Sequence, residues 1–267
     1  MRLIQHKKEA LWFYRFVSPL YDRWVNPLFW TTPLRTEALS LARLDDPQLR
    51  TLDVGAGTVF STAGIVERVN PEAVTMLDQS PDQLARAAKK PELQACSKLL
   101  GDAEQLPFPN DSFDRYVSCG SIEYWPDPGR AVAEAHRVVR PGGTALVVGP
   151  LLPGDRVARL LADAWMLFPT ESQYRAWFAE AGFEEIAARR LSAPWNGDSA
   201  KPAYAIAIAG RATQEGPPAS ASAPAERVDE PWTARRLLRF AAGALAGAVF
   251  VPIGLFLNLR ARRRRER

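Results

Sequence analysis

The strongest constraint on the fold is an alternation of short apolar segments with amphipathic segments through the middle of the chain. The segments "RTLDVGAG", "AVTMLDQS" and "TALVVGP" predict strands, and "TAGIVERV", "PDQLARAAKK" and "TESQYRAWFAEAGF" predict helices. Such alternation is typical of a parallel sheet with helices on both faces. The closing segments "EEIAARRLS" and "AYAIAIAGR" have no helix between them, so we expect the final strand to be antiparallel. The sequence therefore predicts an α/β fold.

The stretch between the strand segments "AVTMLDQS" and "TALVVGP" contains one more predicted helix. The segment "PGRAVAEAHRVVRPGG" predicts a helix that stops at Pro141-Gly142-Gly143, because proline and glycine end helices. The residues before it, "CSKLLGDAEQLPFPNDSFDRYVSCGSIEYW", predict two strands around a loop. We place the α/β domain at residues 46–210.

Cysteine, histidine and charge counts exclude several classes of function. The 267 residues include two cysteines, Cys96 and Cys119, and two histidines, His6 and His136. These are too few for a disulfide framework or a Cys/His zinc site, so we expect no metal. The net charge is +4 and the arginine excess lies at the end of the chain, which argues against nucleic-acid binding.

The two ends of the chain differ from the middle. Residues 1–45 are rich in aromatic side chains, including Tyr14 and Tyr21, and predict a helical lid whose aromatic face packs on the core and covers an apolar substrate. Residues 211–231 are rich in Ala, Pro, Ser and charge, which predicts a flexible linker.

The C-terminal segment 232–267 predicts a membrane anchor with an Arg-rich tail. Phe240–Leu257 contains 18 residues without a charge. As a helix it would be about 27 Å long, close to the hydrocarbon thickness of a bilayer. We expect the lipid bilayer to be a partner and the catalytic domain to lie on the cytoplasmic face. A full span, a re-entrant bend at Pro252 and an interfacial helix all remain open, because the trailing arginines favour the cytoplasm as well.

A Gly-rich turn follows the first predicted strand. It extends from Asp53 to Phe60 and fails the G-x-G-x-x-G dinucleotide pattern, because Phe60 stands at the third glycine. It matches the D-x-G-x-G-x-G pattern of methyltransferases at Asp53, Gly55 and Gly57, with Val59 in place of the last glycine. We expect Val59 to adopt a negative φ in the first helical turn.

The later strands add two carboxylates to this turn. Asp78 ends the second strand, where a carboxylate is placed to accept the hydroxyls of a ribose. The segment "GDAEQLPFPNDSFD" resembles the adenine-binding loop of class I S-adenosylmethionine-dependent methyltransferases. That resemblance implies a Rossmann-like seven-stranded sheet and this cofactor. It also implies the cofactor-binding residues Asp53, Gly55, Gly57, Asp78, Gln79, Asp102, Ala103, Cys119 and Tyr21.

Longer segments resemble one family within this class. "QHKKEALWFYRF", "SFDRYVSCGSIEYWPDP" and "WMLFPTESQYRAWFAEAGFE" are similar to the 2-methyl-6-phytyl-benzoquinol (2-methyl-6-solanesyl-benzoquinol) methyltransferases of tocopherol and plastoquinone synthesis. The resemblance covers residues 2–183 and resumes in the C-terminal segment. It implies C-methylation of a prenylated benzoquinol at a membrane. Demethylmenaquinol or another lipid is an alternative substrate, and a non-catalytic membrane-anchored scaffold is an alternative role.

The proposed chemistry requires a base but no metal. A phenol ring attacks the sulfonium methyl more readily once its hydroxyl is ionised, so the site must align the two groups and remove a proton. Glu123 is our candidate base and Tyr124 its orienting partner, since both follow the fourth strand. The substrate contacts are predicted to come from Tyr14, Trp125, Trp165 and Phe168.

Overall fold

A seven-stranded sheet organises the protein. The computed structural model describes residues 30–57, 59–153, 167–192 and 203–213, with isolated positions 159, 233, 234, 238, 241 and 245. The strands are β1 (Thr51–Val54), β2 (Val74–Asp78), β3 (Ser97–Leu100), β4 (Phe113–Cys119), β5 (Val139–Pro150), β6 (Phe183–Leu191) and β7 (Ala205–Ala212). The helices are α1 (Thr32–Leu39), α2 (Phe60–Ile65), α3 (Pro81–Ala87), α4 (Pro128–Val138) and α5 (Glu171–Glu180).

The strand order is β3-β2-β1-β4-β5-β7-β6. Strands β1 to β5 pair in parallel, and β7 pairs antiparallel with both β5 and β6. The predicted mostly parallel α/β sheet with an antiparallel final strand is confirmed. Because the chain order reverses between β1 and β4, the carboxyl ends of these two strands open a crevice, which is where α/β sheets bind ligands.

Helix starts follow local capping chemistry. The Ser80 hydroxyl accepts a hydrogen bond from the Gln83 N–H at the start of α3, and proline occupies the first helical position. Thr170 and Gln173 form a reciprocal capping box at the start of α5. These caps fix where the two helices leave the sheet.

Helices cover both faces of the sheet, as expected. On one face, α4 and α5 bury Val132, Tyr174 and Phe178 against β4, β5 and β7. On the other face, α1, α2 and α3 pack Leu39 and Ile65 against β2, β4 and β5. Helix α1 comes from the predicted lid region but forms part of this second core.

One predicted helix end is wrong, and one strand extends past the expected end of the domain. Helix α4 ends at Val138, and Pro141-Gly142-Gly143 lie inside β5. The helix ends three residues before the expected stop at Pro141, because Val139 already pairs with Phe113 of β4. The pairing of the two strands then shifts in register before Thr144. At the other end, β7 continues to Ala212, two residues beyond the expected end of the domain.

The predicted membrane anchor falls largely beyond what can be described. Among the described residues, no helix combines the length and the hydrophobicity that a bilayer crossing needs. Of Phe240–Leu257, only positions 241 and 245 are described. The first 29 residues of the predicted lid and nearly all of the predicted linker also lie outside the described residues.

Candidate functional site

Three loops meet at the carboxyl edge of the sheet. The Gly-rich turn follows β1, the Asp78 carboxylate ends β2, and a short 3₁₀ turn, Ile122–Tyr124, follows β4. Direct contacts join the loops: the Gly55 N–H donates to the Leu77 carbonyl at 2.8 Å, and the Gly57 N–H donates to Asp78 Oδ2 at 2.8 Å. The predicted nucleotide turn and the predicted ribose carboxylate therefore belong to one site.

Gly55 is required by a close approach between two of these loops. Its φ is +68°, and a Cβ placed on it would lie 2.5 Å from the Cβ of Ser121. The Ser121 hydroxyl is 2.6 Å from the hydroxyl of Ser118. The missing side chain lets the β4 loop pack directly against the Gly-rich turn.

Val59 does not have the conformation expected from the sequence. Its φ is +76° and its ψ is +22°, in the left-handed region. The expectation of a negative φ is wrong because Val59 is the N-cap of α2, which begins one residue later, at Phe60. Its side chain is buried in the core with Ile65. A β-branched residue in this conformation carries backbone strain of about 1–2 kcal/mol. A glycine at this position, as in the methyltransferase pattern, would avoid that strain.

Asp53 supports the turn from inside the protein. Its carboxylate is wholly buried and accepts hydrogen bonds from the Ser61 hydroxyl at 2.8 Å and the Thr62 hydroxyl at 2.6 Å. Burial raises the pKa of Asp53 to about 6, and the two hydroxyls oppose that shift. These bonds attach the end of β1 to the first turn of α2.

Asp78 lies at the surface of the crevice. Its two oxygens accept the N–H groups of Gly57 and Ser80, each at 2.8 Å, and its side chain is nearly buried. Burial raises the pKa of Asp78, and the N–H groups of Ser80, Gly57 and Gln79 oppose the shift. A carboxylate has about four acceptor positions, so Asp78 retains capacity for a ligand hydroxyl.

The loop after β3 carries Asp102 and Ala103, the predicted adenine contacts. Asp102 accepts the Glu104 N–H at 2.9 Å and is half-buried, and Ala103 is buried. Helix α4 holds the loop in place, since Arg130 Nε donates to the Glu104 carbonyl at 2.9 Å. The loop continues directly from β3, which pairs with β2 as far as Asp78.

Glu123 is the most unusual carboxylate of the site. It lies in the 3₁₀ turn after β4 and is 6% exposed. Its Oε2 atom has no hydrogen-bond partner within the described structure. Burial raises the pKa of Glu123 to about 7, so the carboxyl exchanges its proton near neutral pH. The Glu123 backbone N–H opposes the shift by a hydrogen bond to the carboxyl. A buried carboxyl with one oxygen free of hydrogen bonds is suited to proton abstraction.

The remaining predicted site residues fall into two groups. Cys119 ends β4, and burial raises the pKa of its thiol well above the ordinary value, so it stays protonated. Tyr124 and Trp125 are buried beside Glu123 in sequence. Phe168 is half-buried in a segment held near Glu123, because the Leu167 N–H donates to the Glu123 carbonyl at 3.4 Å. Tyr14, Tyr21 and Trp165 lie outside the described residues.

Sequence reasoning missed Gly120 and its neighbour Trp30. Gly120 has a φ of +68°, and a Cβ on it would lie 2.8 Å from the indole ring of Trp30. Trp30 in turn contacts Phe60 edge-to-face, with ring centroids 5.5 Å apart. The glycine directly after β4 was the available signal, since it repeats the strand-then-glycine pattern of β1.

The described residues contain no cluster of three or more His, Cys, Asp or Glu side chains arranged to hold a metal ion. The site therefore presents backbone N–H groups, carboxylates and aromatic side chains. This set fits the predicted nucleoside cofactor: Asp78 for the ribose, the Gly-rich turn for close approach of its attached chain, and the Asp102 loop for the base.

Comparisons with known proteins agree with this geometry. Residues 52–147 match a family model described as a methyltransferase domain. The fold is similar to an S-adenosylmethionine-dependent methyltransferase from Mesorhizobium loti, with a TM-score of 0.57 and 20% identity over 68% of this chain and 99% of that one. The chain is 45% identical to the 2-methyl-6-phytyl-1,4-hydroquinone methyltransferase, chloroplastic, of Arabidopsis thaliana over 96% of its length and 77% of the relative's.

The chain belongs to the family of 2-methyl-6-phytyl-1,4-hydroquinone methyltransferases. A second chloroplastic member, methyltransferase 2 from rice (Oryza sativa subsp. japonica), is 55% identical over 73% of this chain and 56% of its own length. The chain thus spans little more than half the length of that relative. As a member of the family, the protein is a methyltransferase that uses S-adenosylmethionine.

Proposed function

We propose that this methyltransferase transfers a methyl group to a ring carbon of a prenylated 1,4-benzoquinol in prenylquinone synthesis. Two lines of support converge. The relatives named for 2-methyl-6-phytyl-1,4-hydroquinone match the chain at 45–55% identity. The observation that carries the chemistry is Glu123, because a buried carboxyl whose Oε2 atom has no hydrogen-bond partner within the described structure is able to take the proton of a phenolic hydroxyl.

The residues around the crevice divide the work of holding the cofactor. Asp78 accepts the ribose hydroxyls, and Gln79 lies next to it at the end of β2. Asp102 and the Ala103 backbone hold the adenine, and Tyr21 covers the amino-acid end. Gly55 and Gly57 carry no side chains, so the ligand can approach the backbone of the turn closely. Asp53 acts indirectly, since its carboxylate is already bonded to Ser61 and Thr62 and fixes the turn.

The bound cofactor supplies an electrophilic methyl group on a sulfonium. Glu123 accepts the proton of the substrate hydroxyl that activates the ring, and Tyr124 orients the substrate. Bound S-adenosylmethionine would supply this methyl to the ring carbon, with the neutral thioether as leaving group. Glu123 would return its proton to the ring oxygen, accept the proton of the methylated ring carbon so that aromaticity is restored, and release that proton to solvent. Because Glu123 has a pKa of about 7, it is partly ionised at neutral pH and can accept the first proton.

Apolar side chains exclude water from this reaction. Trp125 and Phe168 lie next to or near the Glu123 turn, and Trp165 and Tyr14 complete the proposed wall for the prenyl tail. Water exclusion matters because it strengthens the electrostatic interactions in the site and removes competing proton acceptors. The lid of residues 1–45 remains part of the proposal.

The proposal places the enzyme at a membrane, with the domain on the cytoplasmic face and the C-terminal segment as anchor. Leu238 and Leu245 support this location, since they occupy helical positions and are 72% and 67% exposed. A substrate with a long prenyl tail would be drawn from the same bilayer.

The experiment compares acceptors under one set of conditions. The full chain in detergent micelles is given S-adenosylmethionine and either 2-methyl-6-phytyl-1,4-benzoquinol or demethylmenaquinol, and kcat/KM is measured for each by mass spectrometry. The proposal predicts a higher value for the benzoquinol. A higher value for demethylmenaquinol would show that the proposed substrate class is wrong. If calorimetry detects no binding of S-adenosylmethionine, the chain is better explained as a non-catalytic scaffold.

A further inference from the structure

Tyr174 is a buried hydroxyl that the proposed mechanism does not use. It lies on α5, is fully buried, and donates a hydrogen bond to the Pro150 carbonyl at 3.1 Å. Pro150 is the last residue of β5. The bond therefore ties the start of α5 to the carboxyl end of the central sheet, next to the loop that carries Glu123.

Gly149 shows how tightly this region is packed. A Cβ added to Gly149 would overlap both the Tyr174 hydroxyl and Cγ2 of Ile122. Ile122 is fully buried and directly precedes Glu123 in the 3₁₀ turn. The Tyr174 hydroxyl and the Ile122 side chain thus occupy the same space, where a side chain on Gly149 would lie, so a displacement of Tyr174 changes the space available to the turn.

Backbone bonds extend the same connection. The Leu152 N–H donates to the Pro169 carbonyl at 3.0 Å, just beyond the Tyr174–Pro150 bond. The Leu167 N–H donates to the Glu123 carbonyl. The chain leaving β5 and the chain entering α5 are therefore joined to each other and to the turn that carries the candidate base.

We propose that Tyr174 is a positioning residue for Glu123: its hydrogen bond to Pro150 holds the Glu123 turn where the carboxyl is buried and its Oε2 atom has no hydrogen-bond partner within the described structure. This proposal rests on the proposed role of Glu123 as base. Electrostatics agree with the geometry. Burial raises the pKa of Tyr174 well above its ordinary value and the nearby Glu123 carboxylate raises it further, so the phenol remains a neutral donor.

The test removes the hydroxyl and keeps the ring. Tyr174→Phe should lower kcat about five- to tenfold, the effect of losing one neutral hydrogen bond, while the affinity for S-adenosylmethionine stays unchanged. The acid limb of the kcat profile should move to lower pH by about half a pH unit, because water reaching Glu123 weakens the effect of burial. A loss of thermal stability with an unchanged pH profile would overturn the proposal.

The chain offers a matched control. Tyr116 on β4 is also fully buried, and its hydroxyl has no hydrogen-bond partner within the described structure. Tyr116→Phe therefore removes the same atom without breaking a bond, and it should leave kcat and the pH profile unchanged. An equal effect of both substitutions would show that Tyr174 has no special connection to the base.

Two further measurements separate this proposal from the proposed function. In a Glu123→Gln background, Tyr174→Phe should have no additional effect on kcat, because its target is absent. An undiminished effect there would overturn the positioning role and leave the base role standing, and full activity of Glu123→Gln alone would refute the base role. Infrared titration of the Glu123 carboxyl, identified by its loss in Glu123→Gln, gives a readout without turnover. Its midpoint should fall in Tyr174→Phe and stay unchanged in Tyr116→Phe.

Discussion

Replacing Glu123 with glutamine should stabilise the folded protein at neutral pH and inactivate it. Burial raises the pKa of Glu123 from 4.5 to about 7, so the folded state holds this proton more tightly than the unfolded state. The resulting stability is fully present below pH 4.5 and is lost as the pH rises through about 7. The difference between the two pKa values corresponds to about 3 kcal/mol.

Glutamine has nearly the same shape and does not titrate. The free energy of unfolding of Glu123→Gln minus that of the parent should therefore grow by about 3 kcal/mol between about pH 4 and pH 8. Asp53, whose pKa burial raises to about 6, titrates in the same window, but it is present in both proteins and cancels. The test uses only how the difference in the free energy of unfolding between the two proteins changes with pH, because any packing effect of the glutamine amide is the same at every pH.

Urea unfolding of both proteins across this pH range measures the difference directly, with the midpoint and slope fitted at each pH. In the same preparations, kcat of Glu123→Gln should be about 100- to 10,000-fold below that of the parent. A free-energy difference that does not change with pH would refute the buried, proton-binding state of Glu123. It would also remove the physical reason for assigning this residue as base.

Three other substitutions or deletions test separate parts of the account. Asp78→Ala should weaken S-adenosylmethionine binding about 10- to 100-fold by calorimetry, because the ligand hydroxyls lose a partner; unchanged affinity would exclude the ribose contact. Val59→Gly should be more stable than Val59→Ala by about 1 kcal/mol in urea unfolding, since only glycine adopts the φ of +76° without strain. It should also bind the cofactor at least as well as the parent. A higher stability of Val59→Ala than of Val59→Gly would contradict the left-handed backbone. A chain that stops after residue 213 keeps β7 whole, so circular dichroism should show that it stays folded. It should still bind the cofactor and should lose activity mainly toward long-tailed quinols. If the shortened chain unfolds, the C-terminal segment belongs to the core.

Features that depend on local sequence could be predicted. The strands around Asp53 and Asp78 were identifiable because each is a short apolar run that ends in a turn signal. The position of Asp78 beside the Gly-rich turn followed from the rule that parallel strands carry their sites at the carboxyl edge. Glu123 was predicted from the same rule, but its burial and missing partner required the structure.

Features that depend on distant contacts could not be predicted. Val59 has a left-handed backbone because α2 begins at Phe60, and no neighbouring residue in the sequence signals that start. The role of Gly149 depends on Tyr174 and Ile122, which approach it from different elements. In β5, strand pairing with β4 overrides the glycines that usually end a helix, so the local signal at Gly142 was misleading.

The most direct test of the account locates the transferred methyl group. The full chain is incubated with S-adenosylmethionine labelled with deuterium on its methyl group and with 2-methyl-6-phytyl-1,4-benzoquinol, and the product is fragmented by tandem mass spectrometry. If Glu123 is the base for methylation of the ring, the label will lie on a ring carbon of the product. The parent chain will form this labelled product, and Glu123→Gln will form almost none. A label on a hydroxyl oxygen, or equal carbon labelling by the parent and Glu123→Gln, would contradict the account.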